Sequence, residues 1–119
     1  MKVVIAGSRQ VTDQIFVISA IERSGFQIKE VVSGGARGVD KLADKWASDN
    51  AIPVKVFESD WERYGKAAGP IRNKMMAEYA DALIAIWDGK SRGTKNIIST
   101  AEKLGLSVFV HKLDSDLIN

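Results

Sequence analysis

The sequence predicts an α/β fold: one Rossmann-like three-layer domain on a parallel five-stranded sheet of order 3-2-1-4-5. Three observations carry this. Apolar runs suited to strands alternate with segments of helical periodicity, which implies parallel strands joined by helical crossovers. The runs at 3–6 and 82–87 hold no polar residue, which suits strands covered on both faces. The run at 54–57 follows Pro53 and carries Lys55, which suits a sheet edge. In this order the switch point lies between strands 1 and 4. The turns after strands 1, 2 and 4 then open on one carboxyl edge, where ligands of such folds bind.

The elements follow in order. Lys2–Ala6 is the first strand, ended by Gly7. Thr12 and Asp13 cap a helix that runs to about Ser24 and stops at Gly25. Val31–Val32 leads into a glycine turn. A helix then spans Val39–Asn50, with Leu42 and Trp46 one turn apart on one face. Val54–Phe57 is the third strand. Glu58–Gly69 reads as irregular. Pro70 suits the first turn of the next helix, where Ile71, Met75 and Tyr79 recur at helical spacing. Ala82–Trp87 is the longest wholly apolar run. Thr94–Leu104 is a helix whose apolar face is Ile97, Ile98, Ala101 and Leu104, with Gly105 as its stop. Ser107–His111 is the last strand, and the tail from Lys112 reads as weakly ordered.

Composition narrows the function classes. The chain has 119 residues, 45% hydrophobic and 27% charged, ordinary values for a globular protein, and it is read as a single domain over 1–119. Its net charge of +2 is spread among interspersed acids and bases, too weak a signal to argue nucleic-acid binding by itself. It has no cysteine, which excludes disulfides, thiolate metal sites and cysteine nucleophiles. The apolar start, Val3–Ala6, is too short for a signal peptide or membrane span, so a cytoplasmic location is expected. The single histidine, His111, gives no metal cluster and is read as structural. No metal and no cofactor are expected.

Four glycine-bearing segments read as turns after apolar runs: Gly7-Ser8-Arg9, Ser33–Gly38, Gly69–Asn73 and Asp88–Thr94. Glycine lets backbone N–H groups approach a ligand, and a helix N-terminus adds positive potential. Together they predict a nucleotide or sugar-phosphate site. Gly34-Gly35 with Gly38 stands between strand and helix as a phosphate turn does, although a plain tight turn is the alternative. The spacing is neither a dinucleotide fingerprint nor a Walker loop. Gly93-Thr94 offers backbone donors and a hydroxyl at a helix start; an ordinary threonine cap is the alternative. Arg9, Arg37 and Arg72 each adjoin such a segment, and guanidinium groups suit bidentate phosphate contact. Asn73 neighbours Arg72. Asp88 and Ser91 are candidates for sugar hydroxyls or for capping the turn. Asp40 has the same pair of readings. Trp61 or Tyr64 could stack on a base, while Trp46 and Trp87 read as core.

These residues resemble the SLOG superfamily, in particular its YspA/YpsA-like branch. The resemblance rests on GSR at 7–9, SGGARGVD at 33–40, DWERYGKAAGPIRN at 60–73 and WDGKSRGT at 87–94. It implies a Rossmann-like fold, a nucleotide or nucleotide-derived ligand such as a nucleoside phosphate or ADP-ribose-like molecule, a sensing or sequestering role, and self-association. The apolar helix face Ile71, Met75, Met76 and Tyr79 fits a homo-oligomer; a fully buried helix is the alternative. Two related groups imply other functions. DprA proteins share similar GSR and SG-x-ARG-x-D blocks, which implies single-stranded nucleic-acid binding. Lonely Guy phosphoribohydrolases cleave nucleoside 5'-monophosphates. Arg72 with Met76 matches their arginine, and Gly93-Thr94 their Gly-Thr, but Ile97 stands where they carry the catalytic glutamate. A carboxylate there stabilises a cationic sugar or activates water, and isoleucine does neither.

Overall fold

Lys2–Gly7 (β1), Glu30–Ser33 (β2), Val54–Val56 (β3), Ala82–Trp87 (β4) and Ser107–Lys112 (β5) pair in parallel in the order β3-β2-β1-β4-β5. This is the predicted order, seen in a computed structural model that describes residues 1–113. Between the strands run Gln14–Ser24 (α1), Val39–Asp49 (α2), Trp61–Tyr64 (α3), Ala68–Tyr79 (α4) and Arg92–Lys103 (α5).

Strand alternation divides the core into two layers. Val3, Ile5, Val31, Ala82, Ile84 and Ile86 pack with Val17, Ala20, Ala43 and Ala47 of α1 and α2. Val4, Val32, Leu83 and Ala85 face the other way, onto Met76, Ala77, Ile97 and Ala101 of α4 and α5. Each buried valine or isoleucine contributes about 1.5–3 kcal/mol. The central register, Val3↔Ala82 through Gly7↔Ile86, brings the ends of β1 and β4 to one level.

Local signals account for most boundaries. The Asp13 carboxylate accepts from the Ile15 N–H at the start of α1, and Gly25 ends that helix at φ 71°. Trp46 and Leu42 are half-buried against the first core layer. Several expectations need correction. The segment read as irregular contains the one-turn α3, capped by Asp60, then a 3-10 turn over Gly65–Ala67. Gly69–Asn73 is not a turn but part of α4, with Pro70 in its first turn. The buried stripe of α4 is Asn73, Met76 and Ala77, whereas Met75 is 51% exposed. Helix α5 begins at Arg92 because Ser91, not Thr94, caps it, and Leu104 is an exposed cap rather than part of the apolar face. Lys112 belongs to β5 and Leu113 is buried, so the chain is ordered past the predicted limit. The remainder of that tail, 114–119, lies outside the described residues. No helix among the described residues is long and apolar enough to cross a membrane.

Two crowded points tie the turns to the sheet. The Ser8 N–H donates to the Ile86 carbonyl at 3.2 Å, and the Val39 N–H to the Ser8 carbonyl at 3.2 Å. Gly38 sits at φ 75°, and a Cβ there would overlap the Ser8 carbonyl and Arg9 Cα. Gly93 is the opposite case: a Cβ there would meet nothing within 4 Å. Gly38→Ala is therefore expected to cost about 1–3 kcal/mol of stability. Gly93→Ala should leave the melting temperature unchanged or slightly raised. Thermal melts of the two variants side by side check both.

Candidate functional site

The carboxyl ends of β1 and β4, the turn before α2, the middle of α4 and the start of α5 line a cavity of about 570 Å3. That size falls within the range of small-molecule sites. Of the residues singled out in the sequence, Gly7, Ser8, Arg9, Asp40, Arg72, Asn73, Asp88, Ser91, Gly93 and Thr94 line it. Segments from four parts of the chain thus meet at one rim.

Hydrogen bonds tie that rim together. Arg72 donates through Nη1 to the Gly34 carbonyl at 2.9 Å and through Nε to Asn73 Oδ1 at 3.0 Å. The Asn73 amide donates in turn to Asn96 Oδ1 at 2.9 Å and to the Gly93 carbonyl at 3.3 Å. Adjacent residues of α4 therefore hold the turn before α2 on one side and the first turn of α5 on the other. Asn73 is 4% exposed and fully engaged, so its part is to hold α5 in place.

Ser33, Gly34, Gly35, Arg37, Gly38 and Trp61, also singled out in the sequence, are not among the residues that line this cavity. Their neighbours give the reason. A Cβ at Gly34 would overlap the Arg72 guanidinium, so this glycine makes room for a side chain of the protein itself. Gly38 makes room for Ser8 and Arg9. The Ser33 hydroxyl accepts from the Gly35 N–H at 3.1 Å. Arg37 is exposed. Trp61 is 56% exposed and stands over Gly69 at the start of α4. From the glycine turn itself only Ala36 reaches the cavity.

The start of α5 combines capped and uncapped donors. Ser91 Oγ accepts from the Thr94 N–H at 3.4 Å and meets Thr94 Oγ1 at 3.1 Å. Arg92 and Gly93 precede Thr94, and their amides have no intrahelical carbonyl to bond. Asp88 is a turn cap: one carboxylate oxygen accepts from the N–H groups of Lys90 and Ser91, each at 2.8 Å. The Ser91 amide holds the Asp88 pKa below the usual carboxylate range. Trp87 donates to the Ser91 carbonyl at 3.1 Å and steadies the same loop.

Charge is concentrated where the rim is half-dry. Asp40 is 6% exposed, and burial lifts its pKa to about 6 despite the Ala36 N–H bond and the fields of Arg72 and Arg9. Burial also lowers the Arg72 pKa; Asp40 opposes that shift and Arg9 adds to it. Two guanidinium groups and one carboxyl thus share a single field. Among the described residues the ion pair within 4 Å is Lys45–Asp49, far from this rim in kind: an exposed helix pair. Neither arginine is neutralised by direct pairing with another described residue.

Sequence reasoning missed Gln10, Ala36 and Lys90 in the wall. Lys90 lies inside WDGKSRGT, so its place between Asp88 and Ser91 was the available signal. The apolar floor is Ala6, Met76 and Ile97. Ile97 is 2% exposed and packs in the second core layer, which is why no carboxylate stands there. No group of three or more His, Cys, Asp or Glu among the described residues is placed to hold a metal ion.

The geometry has counterparts among known proteins. Residues 1–64 match the YspA, cpYpsA-related SLOG family. The chain is 38% identical over 118 residues to the Gene 61 protein of Mycobacterium phage D29, covering 90% of this chain and 93% of that one. The chain belongs to the YspA, cpYpsA-related SLOG family. Among solved structures, DNA processing protein A (DprA) from Streptococcus pneumoniae is similar with a TM-score of 0.73 at 21% identity. That match covers 92% of this chain and 49% of the other, so this chain spans about half of it, and the likeness is one of fold.

The raised Asp40 pKa sets a pH dependence. Between about 4 and 6 the folded chain keeps a proton that the unfolded chain has released, so stability falls as pH rises through that window and stays lower above it. Asp40→Asn keeps an acceptor for the Ala36 N–H and removes the buried charge. It is expected to raise stability at pH 7.5 by up to about 3 kcal/mol and to change little at pH 4. Urea denaturation at the two pH values measures the difference.

Proposed function

We propose that the cavity holds a phosphate-bearing nucleotide ligand and that the protein senses or sequesters it. The carrying observation is the pairing of Arg9 and Arg72, which have no carboxylate within 4 Å among the described residues, with the Arg92 and Gly93 amides that the Ser91 cap leaves free at the start of α5, across a cavity at the β1/β4 switch point. The guanidinium groups and the amide of Gly93 suit a phosphate. The apolar floor of Ala6, Met76 and Ile97 suits the face of a sugar or base. Family membership is in keeping with this reading.

Ile97 supports retention without cleavage. A side chain packed into the core neither activates water nor stabilises a sugar cation. AMP should therefore be recovered intact after long incubation with the protein, as read by chromatography.

Calorimetric titration with AMP tests binding. Arg9 is exposed and makes no hydrogen bond or ion pair with another described residue, so Arg9→Ala should leave the melting temperature unchanged. It should weaken AMP binding roughly tenfold, the worth of one charge-assisted contact. Gly93→Ala should weaken binding as well, by filling space next to the phosphate. The absence of any heat with AMP, ADP-ribose or NAD would remove the reading.

A further inference from the structure

Arg72 belongs to two hollows. Besides the main cavity it lines a smaller one of about 210 Å3, formed with Glu58, Asp60, Tyr64, Ile71 and Met75 around Ala68. Arg72 is the one residue common to the two walls. The guanidinium is committed through Nε and Nη1 to Asn73 and Gly34. Nη2 has no protein acceptor among the described residues.

The second hollow differs in chemistry from the first. Its wall carries two carboxylates and no cation besides Arg72, so a second phosphate is unwelcome there. Glu58 makes no hydrogen bond or ion pair with another described residue. Asp60 uses Oδ1 to cap the Arg63 N–H at 3.1 Å and leaves Oδ2 unengaged. Carboxylates accept hydrogen bonds from sugar hydroxyls and from the amino groups of bases. Tyr64 and Met75, 38% and 51% exposed, supply an uncovered aromatic and thioether surface against which a flat ring fits. The Arg63 guanidinium lies 5.2 Å from the Tyr64 ring centre and steadies that ring.

We propose that this hollow is a second subsite and that the ligand is a two-part nucleotide. A phosphate or diphosphate link would sit at Arg72 with one nucleoside half in the main cavity. The other half, an uncharged sugar or base, rests against Tyr64 and donates hydrogen bonds to Glu58 and Asp60. The inference stands on the reading of the main cavity as a nucleotide site, and it adds a ligand length and a chemical character for the far end.

AMP and ADP-ribose are the two probes, titrated calorimetrically at one ionic strength. The wild-type chain should bind ADP-ribose at least about tenfold more tightly than AMP. Tyr64→Ala should erase that advantage and leave AMP affinity unchanged, while Tyr64→Phe retains it. Glu58→Gln, an exposed change with no effect expected on folding, should weaken ADP-ribose alone. Equal affinities of the wild type for the two probes, or parallel losses for both in Tyr64→Ala and Glu58→Gln, would overturn the second subsite while leaving the first. Failure of both probes to bind would instead overturn the nucleotide reading on which it stands.

Discussion

One hydrogen bond organises the rim: that from the Arg72 guanidinium to the Gly34 carbonyl. It joins the fourth helix to the turn that leads into the second, across the top of the sheet. A half-buried cation held by a carbonyl and an amide oxygen has its donors satisfied while its charge stays uncompensated, because neither partner carries an opposite one. Asp40 is near enough to influence the pKa of Arg72, and burial delays its own ionisation to about pH 6, so that one carboxylate faces two guanidinium groups at neutral pH. The fold therefore maintains positive potential at a place where it is only partly hydrated. Gly34 is a consequence of the same bond, since any larger residue would collide with the arginine.

The neighbouring Asn73 extends the logic. Its amide reaches both the Gly93 carbonyl and Asn96, so the first turn of the last helix is fixed relative to Arg72. A donor array set by side-chain hydrogen bonds needs little rearrangement when it meets an anion. Asp88 and Trp87 contribute in the same manner, by holding the loop before that helix from within. The acid at 88 spends its charge on two backbone amides.

Strand order was legible because composition and position agree. Val3–Ala6 and Ala82–Trp87 hold nothing polar and prove central, while Lys55 and Pro53 prove to mark an edge. The convergence of the glycine-bearing segments was legible for the same reason, since the order fixes which turns share a rim. The roles of individual glycines were not. The signal at Gly34 and Gly38 is real, and crowding by Arg72 and Ser8 accounts for it within the protein itself, a source that a lone sequence does not distinguish from the approach of a ligand. Which part of the fourth helix's apolar face is buried was not legible, because Met75 and Met76 are equivalent in composition. Only the position of the sheet decides that Met76 faces inward. Asn73 carries no hydrophobic signal, yet it lies on the buried stripe because its partners are there.

The pairing of the first strand has a bearing on how the chain matures. Lys2 meets Asp81 across 79 residues of sequence, and the whole inner edge of the first strand waits for the fourth. During synthesis the amino-terminal strands emerge first, with Val3, Val4 and Ile5 presenting unpaired amides and carbonyls to any other extended chain. The nascent half-sheet is thus adhesive until residues 82–87 leave the ribosome. Arrival of that one strand closes the gap and buries the sticky border, and the last helix, which follows it in the chain, then has a surface to pack on.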